Sequence, residues 1–279
     1  MNKLELQKTA LEVRKGIVSS VHSAKAGHPG GSLSATEAFV YLYFEEMNID
    51  PSNPKMEDRD RFVLSKGHTA PGLYATLAER GFFPKEDLLT LRHVGSYLQG
   101  HPDMKNIPGV DMSSGSLGQG GSAAVGMALA AKLDKKDYRT YCLFGDGEIQ
   151  EGQVWEAAMF AGANKLDNLV FIVDNNNLQI DGCIADVCDP YPIDKKFEAF
   201  NFHAINVEDG NDFDQLAAAF AEARATKGMP TAIIMKTVKG KGVSFMENQA
   251  SWHGVAPNDE QYAIAMEELE KGGAALCQK

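Results

Sequence analysis

The chain has 279 residues, 44% hydrophobic and 23% charged, proportions of an ordinary globular protein long enough for a sizeable core in one or two domains. Its net charge of −11 argues against nucleic acid as a partner. The first sixteen residues lack the apolar core of a signal peptide, no apolar run is long enough to span a bilayer, and Cys142, Cys183, Cys188 and Cys277 form no CxxC pair. The expectation is a cytoplasmic protein with reduced thiols and no membrane partner.

Residues 3 to 22 carry apolar side chains at helical spacing, with Leu4, Leu11, Ile17, Val18 and Val21 as the buried positions. The pattern breaks at Gly27-His28-Pro29-Gly30-Gly31. A helix resumes near Ser34 or Thr36 and runs through Phe39-Val40-Tyr41-Leu42. A polar loop, Pro51 to Asp60, leads to a short strand, Arg61 to Leu64, with Ser65-Lys66-Gly67-His68 directly after it and a helix from about Pro71 to Arg80. Three histidines adjoin glycine: His28, His68 and His101. Glycine lets a backbone approach a ligand closely, so the repetition marks them as a candidate set. Ser113 to Gly121 reads SSGSLGQGG ahead of an alanine- and glycine-rich helix to Leu133. Its spacing does not match GxGxxG, so it carries no dinucleotide fingerprint. It is either a flexible loop or one whose backbone passes a cofactor.

Tyr138 to Gly182 is the centre of the chain. Thr140 to Phe144 is an apolar run ending in Gly145-Asp146-Gly147; Asn168 to Val173 is another, ending in Asp174-Asn175-Asn176; Glu151 to Leu166 between them is helical. This is a βαβ unit with parallel strands and a right-handed crossover. Ligands of open α/β sheets bind outside the carboxyl ends of the strands, so Asp146 and Asn176 should lie side by side at that edge. Asp181 to Pro192 reads as irregular, and its two cysteines lack a second pair for zinc. A short helix (Pro192 to Phe200), a strand (His203 to Val207), a helix (Phe213 to Thr226) and a buried strand (Thr231 to Thr237) follow. Val238 to Gly254 is a loop, and a polar, peripheral helix spans about Asp259 to Lys271. The whole, residues 1–279, reads as one α/β domain with a mainly parallel sheet and helices on both faces.

A carboxylate from Asp146 and an amide oxygen from Asn176 are hard donors suited to Mg2+ or Ca2+. Mg2+ fills its remaining positions with water, a backbone carbonyl and phosphate oxygens, and the glycines beside Asp146 leave room for a phosphate at a helix start. The residues point to a metal-bridged diphosphate; the competing reading is that Asp146 and Asn176 only cap turns.

The order of motifs resembles the N-terminal half of transketolases: AGHPGGSLSATE (26–37), LSKGH (64–68), GHPD (100–103), SGSLGQG (114–120), GDGEIQEGQVWEA (145–157), VDNNNLQIDG (173–182), KTVKGKGV (236–243) and WHG (252–254). The resemblance implies the thiamine diphosphate-binding fold, with Asp146, Asn176 and the Leu178 carbonyl holding Mg2+ (Ca2+ or Mn2+ able to take its place). It implies that Gly147, His68 and His253 contact the diphosphate of thiamine diphosphate. Gly115, Ser116 and Leu117 would line its rings, although the family often has proline where this chain has Ser116. His28, His101 and His253 would face a sugar phosphate as proton-transfer and hydrogen-bonding groups. Glu151 and Glu156 would lie at the family's subunit contact, with Glu151 beside the cofactor.

A full transketolase chain also carries a pyrimidine-binding and a C-terminal domain. The expectation is therefore one subunit of a split transketolase of the pentose phosphate pathway, transferring a two-carbon ketol group only with a C-terminal partner subunit, most simply as α2β2. Alternatives are the α-subunit of a thiamine-dependent 2-oxoacid dehydrogenase, a transketolase-like enzyme for an unusual sugar, and a non-catalytic module that kept the scaffold.

Overall fold

The computed structural model describes residues 1–276, so Cys277 lies outside the described residues. Helix α1 (Lys3–Ala24) starts at an Asn2–Glu5 capping box, in which the Asn2 side chain accepts from Glu5 N and the Glu5 side chain accepts from Asn2 N. Val13, Ile17, Val18 and Val21 form its fully buried stripe, and Leu11 packs at the margin of the core. Leu4 does not join them: it is 37% exposed, because the stripe at this end runs through Leu6 and Ala10.

The glycine-rich break is shorter than expected. Helix α2 (Pro29–Ser34) starts at the proline, whose fixed φ suits a first helical position, and α3 (Thr36–Tyr41) follows after one residue. Strand β1 (Arg61–Leu64) and helix α4 (Ala70–Arg80) come next, then a long loop to α5 (Gln119–Leu133). The central unit is β2 (Thr140–Gly145), α6 (Gly152–Ala163) and β3 (Leu169–Asn175). The stretch expected to be irregular holds a small hairpin, β4 (Leu178–Gln179) and β5 (Gly182–Cys183), and a short helix, α7 (Ile184–Cys188). The chain continues through α8 (Ile193–Ala199), β6 (His203–Val207), α9 (Phe213–Ala225), β7 (Thr231–Lys236) and α10 (Asp259–Leu276).

Five strands form one parallel sheet in the order β1-β2-β3-β7-β6. Side chains alternate between its faces, as the pleat requires. Tyr141, Leu143, Val170, Ile172, Ile233 and Met235 point into a core shared with α1, α3, α4 and α9. Cys142, Phe144, Phe171, Val173, Ala232 and Ile234 point into a second core shared with α5, α6 and α8. The near-continuous apolar strands follow from burial on both sides. Ala124 and Ala128 of α5 are fully buried in this second core, whereas Gly126 faces open space. Helix α10 is less peripheral than its polar sequence suggested, since Ala265 and Leu269 are buried and Tyr262 stacks on His22 of α1. No helix of the described residues is long and apolar enough to cross a membrane.

Candidate active site at the carboxyl edge of the sheet

All five strands end on one side, and the loops leaving β1, β2, β3 and β7 enclose a cavity of about 230 Å3. Its wall includes Lys66, His68, Leu117, Asp146, Gly147, Glu148, Glu151, Asn176, Leu178, Lys239 and His253. A larger cavity, about 600 Å3, lies at the opposite edge between Glu46, Asp60 and Arg139. Two of its cations are already paired there, Lys136 with Asp58 and Arg224 with Glu46, so size is not the guide to chemistry.

Asp146 and Asn176 meet as the parallel register demands, since Gly145 pairs with Asp174 across β2 and β3. Asp146 Oδ1 accepts from Gly147 N (2.8 Å), and Oδ2 accepts from Asn177 N (2.5 Å) and Asn175 Nδ2 (3.0 Å). Burial and the neighbouring Asp174 nevertheless push its carboxyl up to about 6. Asn176 Oδ1 accepts from Leu178 N (3.1 Å), and its Nδ2 donates to Asp174 Oδ2 (3.1 Å). The Leu178 carbonyl accepts from Lys239 Nζ (3.1 Å).

Four charged residues at this edge were not among the sequence-based candidates. Lys66, 1% exposed, pairs with fully buried Asp174. Burial pushes Asp174 upward, but Lys66, Ser34 and Thr237 outweigh it and hold the carboxylate below its usual range. Lys239, 1% exposed, donates to His253 Nδ1 (3.0 Å) and is pushed down to about 8 by burial and by Lys66. Glu148, pushed up to about 7 by burial, accepts from Ser65 Oγ (2.5 Å), Gly118 N (2.9 Å) and Gly145 N (3.0 Å). It ties the glycine-rich loop to the ends of β1 and β2. The signal that selected Asp146, a position just past the end of a strand, applies equally to Lys66 after β1 and Lys239 after β7.

His28, His68 and His253 form a cluster, with ring centroids 5.1 Å apart for His28–His68, 5.5 Å for His28–His253 and 5.1 Å for His68–His253. Burial pushes His28 down to about 4, His253 to about 3 and His68 well below its usual range, with nearby cations adding to each. His28 Nδ1 is buried without a partner. His101 stands apart from the three rings. It packs against Gly115, whose φ of +149° lies in a region that favours glycine and where a Cβ would come within 3.1 Å of the His101 ring. Burial and Arg92 lower it as well. Leu117 is 41% exposed at the cavity mouth, beside exposed Ser116. Glu151 is exposed and precedes α6 at the cavity wall.

This donor set fits a metal–diphosphate pair. Two buried lysines crowd each other on one side, a carboxyl pushed above its usual range sits on the other, and an oxyanion bridged by a divalent cation relieves both. Among the described residues no three His, Cys, Asp or Glu side chains are grouped to hold a metal, so the cation donors would be one carboxylate, one amide oxygen and one carbonyl, a set for a hard cation.

The family model described as "Transketolase, thiamine diphosphate binding domain" matches residues 6–271. A 6-deoxy-6-sulfo-D-fructose transketolase subunit from Clostridium sp. (strain MSTE9) is 45% identical over 271 residues, covering 97% of this chain and 98% of that protein. One of the two subunits of an apulose-4-phosphate transketolase from Phocaeicola vulgatus is 44% identical, covering 96% and 94%. Rat transketolase is 46% identical over 257 residues, covering 89% of this chain but only 39% of that enzyme. Among solved structures, transketolase from Pichia stipitis in complex with sedoheptulose-7-phosphate superposes with a TM-score of 0.88 at 30% identity, covering 99% of this chain and 45% of that one. The chain thus spans under half of that solved transketolase, and it belongs to the transketolase family as a thiamine diphosphate-binding domain.

Proposed function

We propose that this chain is the N-terminal subunit of a two-chain transketolase, and that residues 1–279 form one diphosphate-binding domain whose pyrimidine-binding and C-terminal counterparts come from a partner subunit. The observation that carries the reading is the pattern of coverage: the chain matches two named transketolase subunits over 98% and 94% of their length, against 39% of a one-chain enzyme. The reaction is transfer of a two-carbon ketol group from a ketose to an aldose in an assembly most simply of two copies of each chain.

Asp146, the Asn176 amide oxygen and the Leu178 carbonyl would hold Mg2+. Lys66, Lys239 and the Gly145–Gly147 turn would receive the diphosphate, with His68 and His253 beside it. Thiamine diphosphate supplies the electron sink that lets a carbon–carbon bond next to a carbonyl break and re-form. Gly115, Ser116 and Leu117 sit where the rings of the cofactor would leave the cavity, and Glu151 stands at the same wall. The imidazoles of His28, His101 and His253 supply neutral groups that accept or donate a proton at the sugar oxygens. Positive charge for anion binding comes from the lysines instead.

The sugar is the open part of this reading. The relatives of matching length are named for a sulfofructose and for apulose-4-phosphate, which favours a dedicated route for an unusual anionic sugar over the general pentose phosphate pathway. The test is reconstitution with the product of an adjacent reading frame of roughly 300 residues, about two ordinary domains. The mixture should transfer ketol units with Mg2+ and thiamine diphosphate, and the chain alone should not. Full activity of the isolated chain would sink the two-chain reading. A donor panel of xylulose-5-phosphate, fructose-6-phosphate, sulfofructose and apulose-4-phosphate would then identify the sugar.

A further inference from the structure

An asparagine serves a cation only with its oxygen, because the nitrogen end of the carboxamide carries two N–H donors and no available lone pair. The two ends are nearly equal in shape, so nothing within Asn176 decides which one faces the cavity. The decision lies behind it. Asp174 is fully buried, and its Oδ2 accepts from Asn176 Nδ2 (3.1 Å), from Ser34 Oγ and from the Lys66 ammonium, while Oδ1 accepts from Thr237 Oγ1. Lys66 keeps this carboxylate ionised, and an ionised carboxylate only accepts. Turning the Asn176 amide over would set its oxygen against Asp174 Oδ2 and leave a buried N–H2 facing Leu178 N, itself a donor.

Resting on the reading of Asp146, Asn176 and Leu178 as metal donors, we propose that Asp174 is a positioning residue of the metal site, which never touches the cation and locks the Asn176 carboxamide oxygen-first toward it. Outer partners of metal ligands typically change affinity by about 10–100-fold. The same carboxylate joins residues following β1, β3 and β7 to α2, so the orientation of one ligand is tied to the closure of the whole strand edge.

The test uses the full chain with Mn2+ and thiamine diphosphate, reading free Mn2+ by electron paramagnetic resonance. In Asp174→Asn the residue behind Asn176 can donate or accept, both amide orientations are allowed, and Mn2+ affinity should fall about 10–100-fold. In the exchanged pair Asp174→Asn with Asn176→Asp, charge is conserved, residue 176 offers an oxygen whichever way it turns, and most of the loss should be recovered. Asn176→Asp alone closes the cycle. If it changes Mn2+ affinity by the same factor whether residue 174 is Asp or Asn, the two residues are uncoupled and the proposal is overturned; a role of Asp174 only in holding Lys66, Ser34 and Thr237 gives that result. A measurement on the unsubstituted chain stands even where Asp174→Asn does not fold: the Asn176 side-chain amide protons should resist hydrogen exchange, and exchange at the rate of a free amide overturns the proposal. Failure of the unsubstituted chain to bind Mn2+ in the presence of thiamine diphosphate overturns the metal reading itself, which the other outcomes leave standing.

Discussion

Lys239→Met separates what this site does for stability from what it does for binding. Lys239 keeps a buried ammonium beside that of Lys66, and its fall from 10.5 to about 8 corresponds to about 3 kcal/mol of strain when it is charged. The sign follows from linkage: the folded chain binds a proton less tightly than the unfolded one, so the penalty is full at pH 7 and fades as pH rises from about 8 toward 10.5. Methionine fills the same volume without charge, but leaves the Leu178 carbonyl and His253 Nδ1 without their donor, at about 1 kcal/mol each. The variant should therefore be more stable than the parent by about 1 kcal/mol at pH 7, roughly 2–4 °C in Tm. That advantage should shrink by roughly 1 kcal/mol by pH 9, as the parent sheds its proton. Binding moves the other way. Loss of a charge-assisted contact of about 1.5–3 kcal/mol should weaken thiamine diphosphate about 10–150-fold in the presence of Mg2+. Thermal melts at both pH values and calorimetric titration measure the two effects. A variant that is less stable at pH 7 and binds the cofactor unchanged would refute the assignment of Lys239 as a strained anion-binding group.

Lys66→Met should do the opposite to stability, because it strips the partner from a carboxylate with no exposure; a loss of about 3–5 kcal/mol in urea melts is expected, and a loss below about 1 kcal/mol would mean that the pair is not holding the strand edge together. Gly162→Ala sets a methyl 1.9 Å from the Phe200 carbonyl oxygen, so α6 must shift, with an expected cost of about 1–3 kcal/mol by denaturant titration; a neutral result would show that this helix end moves freely. His28→Ala in the assembled enzyme should lower turnover about 10²–10⁴-fold while thiamine diphosphate affinity stays within error, and the reverse pattern would reassign His28 to the cofactor.

The strands were legible almost to the residue: Arg61 to Leu64 and His203 to Val207 carry the expected bounds, because continuous apolar runs between turn residues have no competing reading. The crossover unit, the parallel pairing and the convergence of Asp146 with Asn176 followed from it. The short helix α2 was not legible, since a Pro-Gly-Gly-Ser run reads as a breaker and becomes helical only where His68, Lys66 and Lys239 pack around its glycines. Glu148 and Asp174 were missed for a related reason. Beside more prominent neighbours, each reads as one more turn carboxylate, and its work appears only once backbone N–H groups and side chains from loops distant in sequence converge on it. Lys66 and Lys239 were visible within their motifs, but a lysine in a loop is normally solvated, and only the fold reveals that these two are buried.

The arrangement of titratable groups also explains why the site needs both lysines and histidines. A diphosphate could be held by imidazolium groups alone, yet the cluster of His28, His68 and His253 is buried so tightly that all three stay neutral well below pH 6 in the absence of an anion. Neutral rings can take up or pass on a proton; charged ones can only give it. Assigning permanent charge to Lys66 and Lys239 frees the imidazoles for that exchange, and the direct contact between Lys239 Nζ and His253 Nδ1 fixes the tautomer, since the nitrogen that accepts from lysine leaves the proton on Nε2. An incoming anion raises the proton affinity of every group around it, so binding should draw protons into the site rather than expel them from the cations. Calorimetry of thiamine diphosphate binding at pH 8 in two buffers of different ionisation enthalpy should therefore report net proton uptake, chiefly by Lys239, and zero uptake would mean that Lys239 does not face the bound anion.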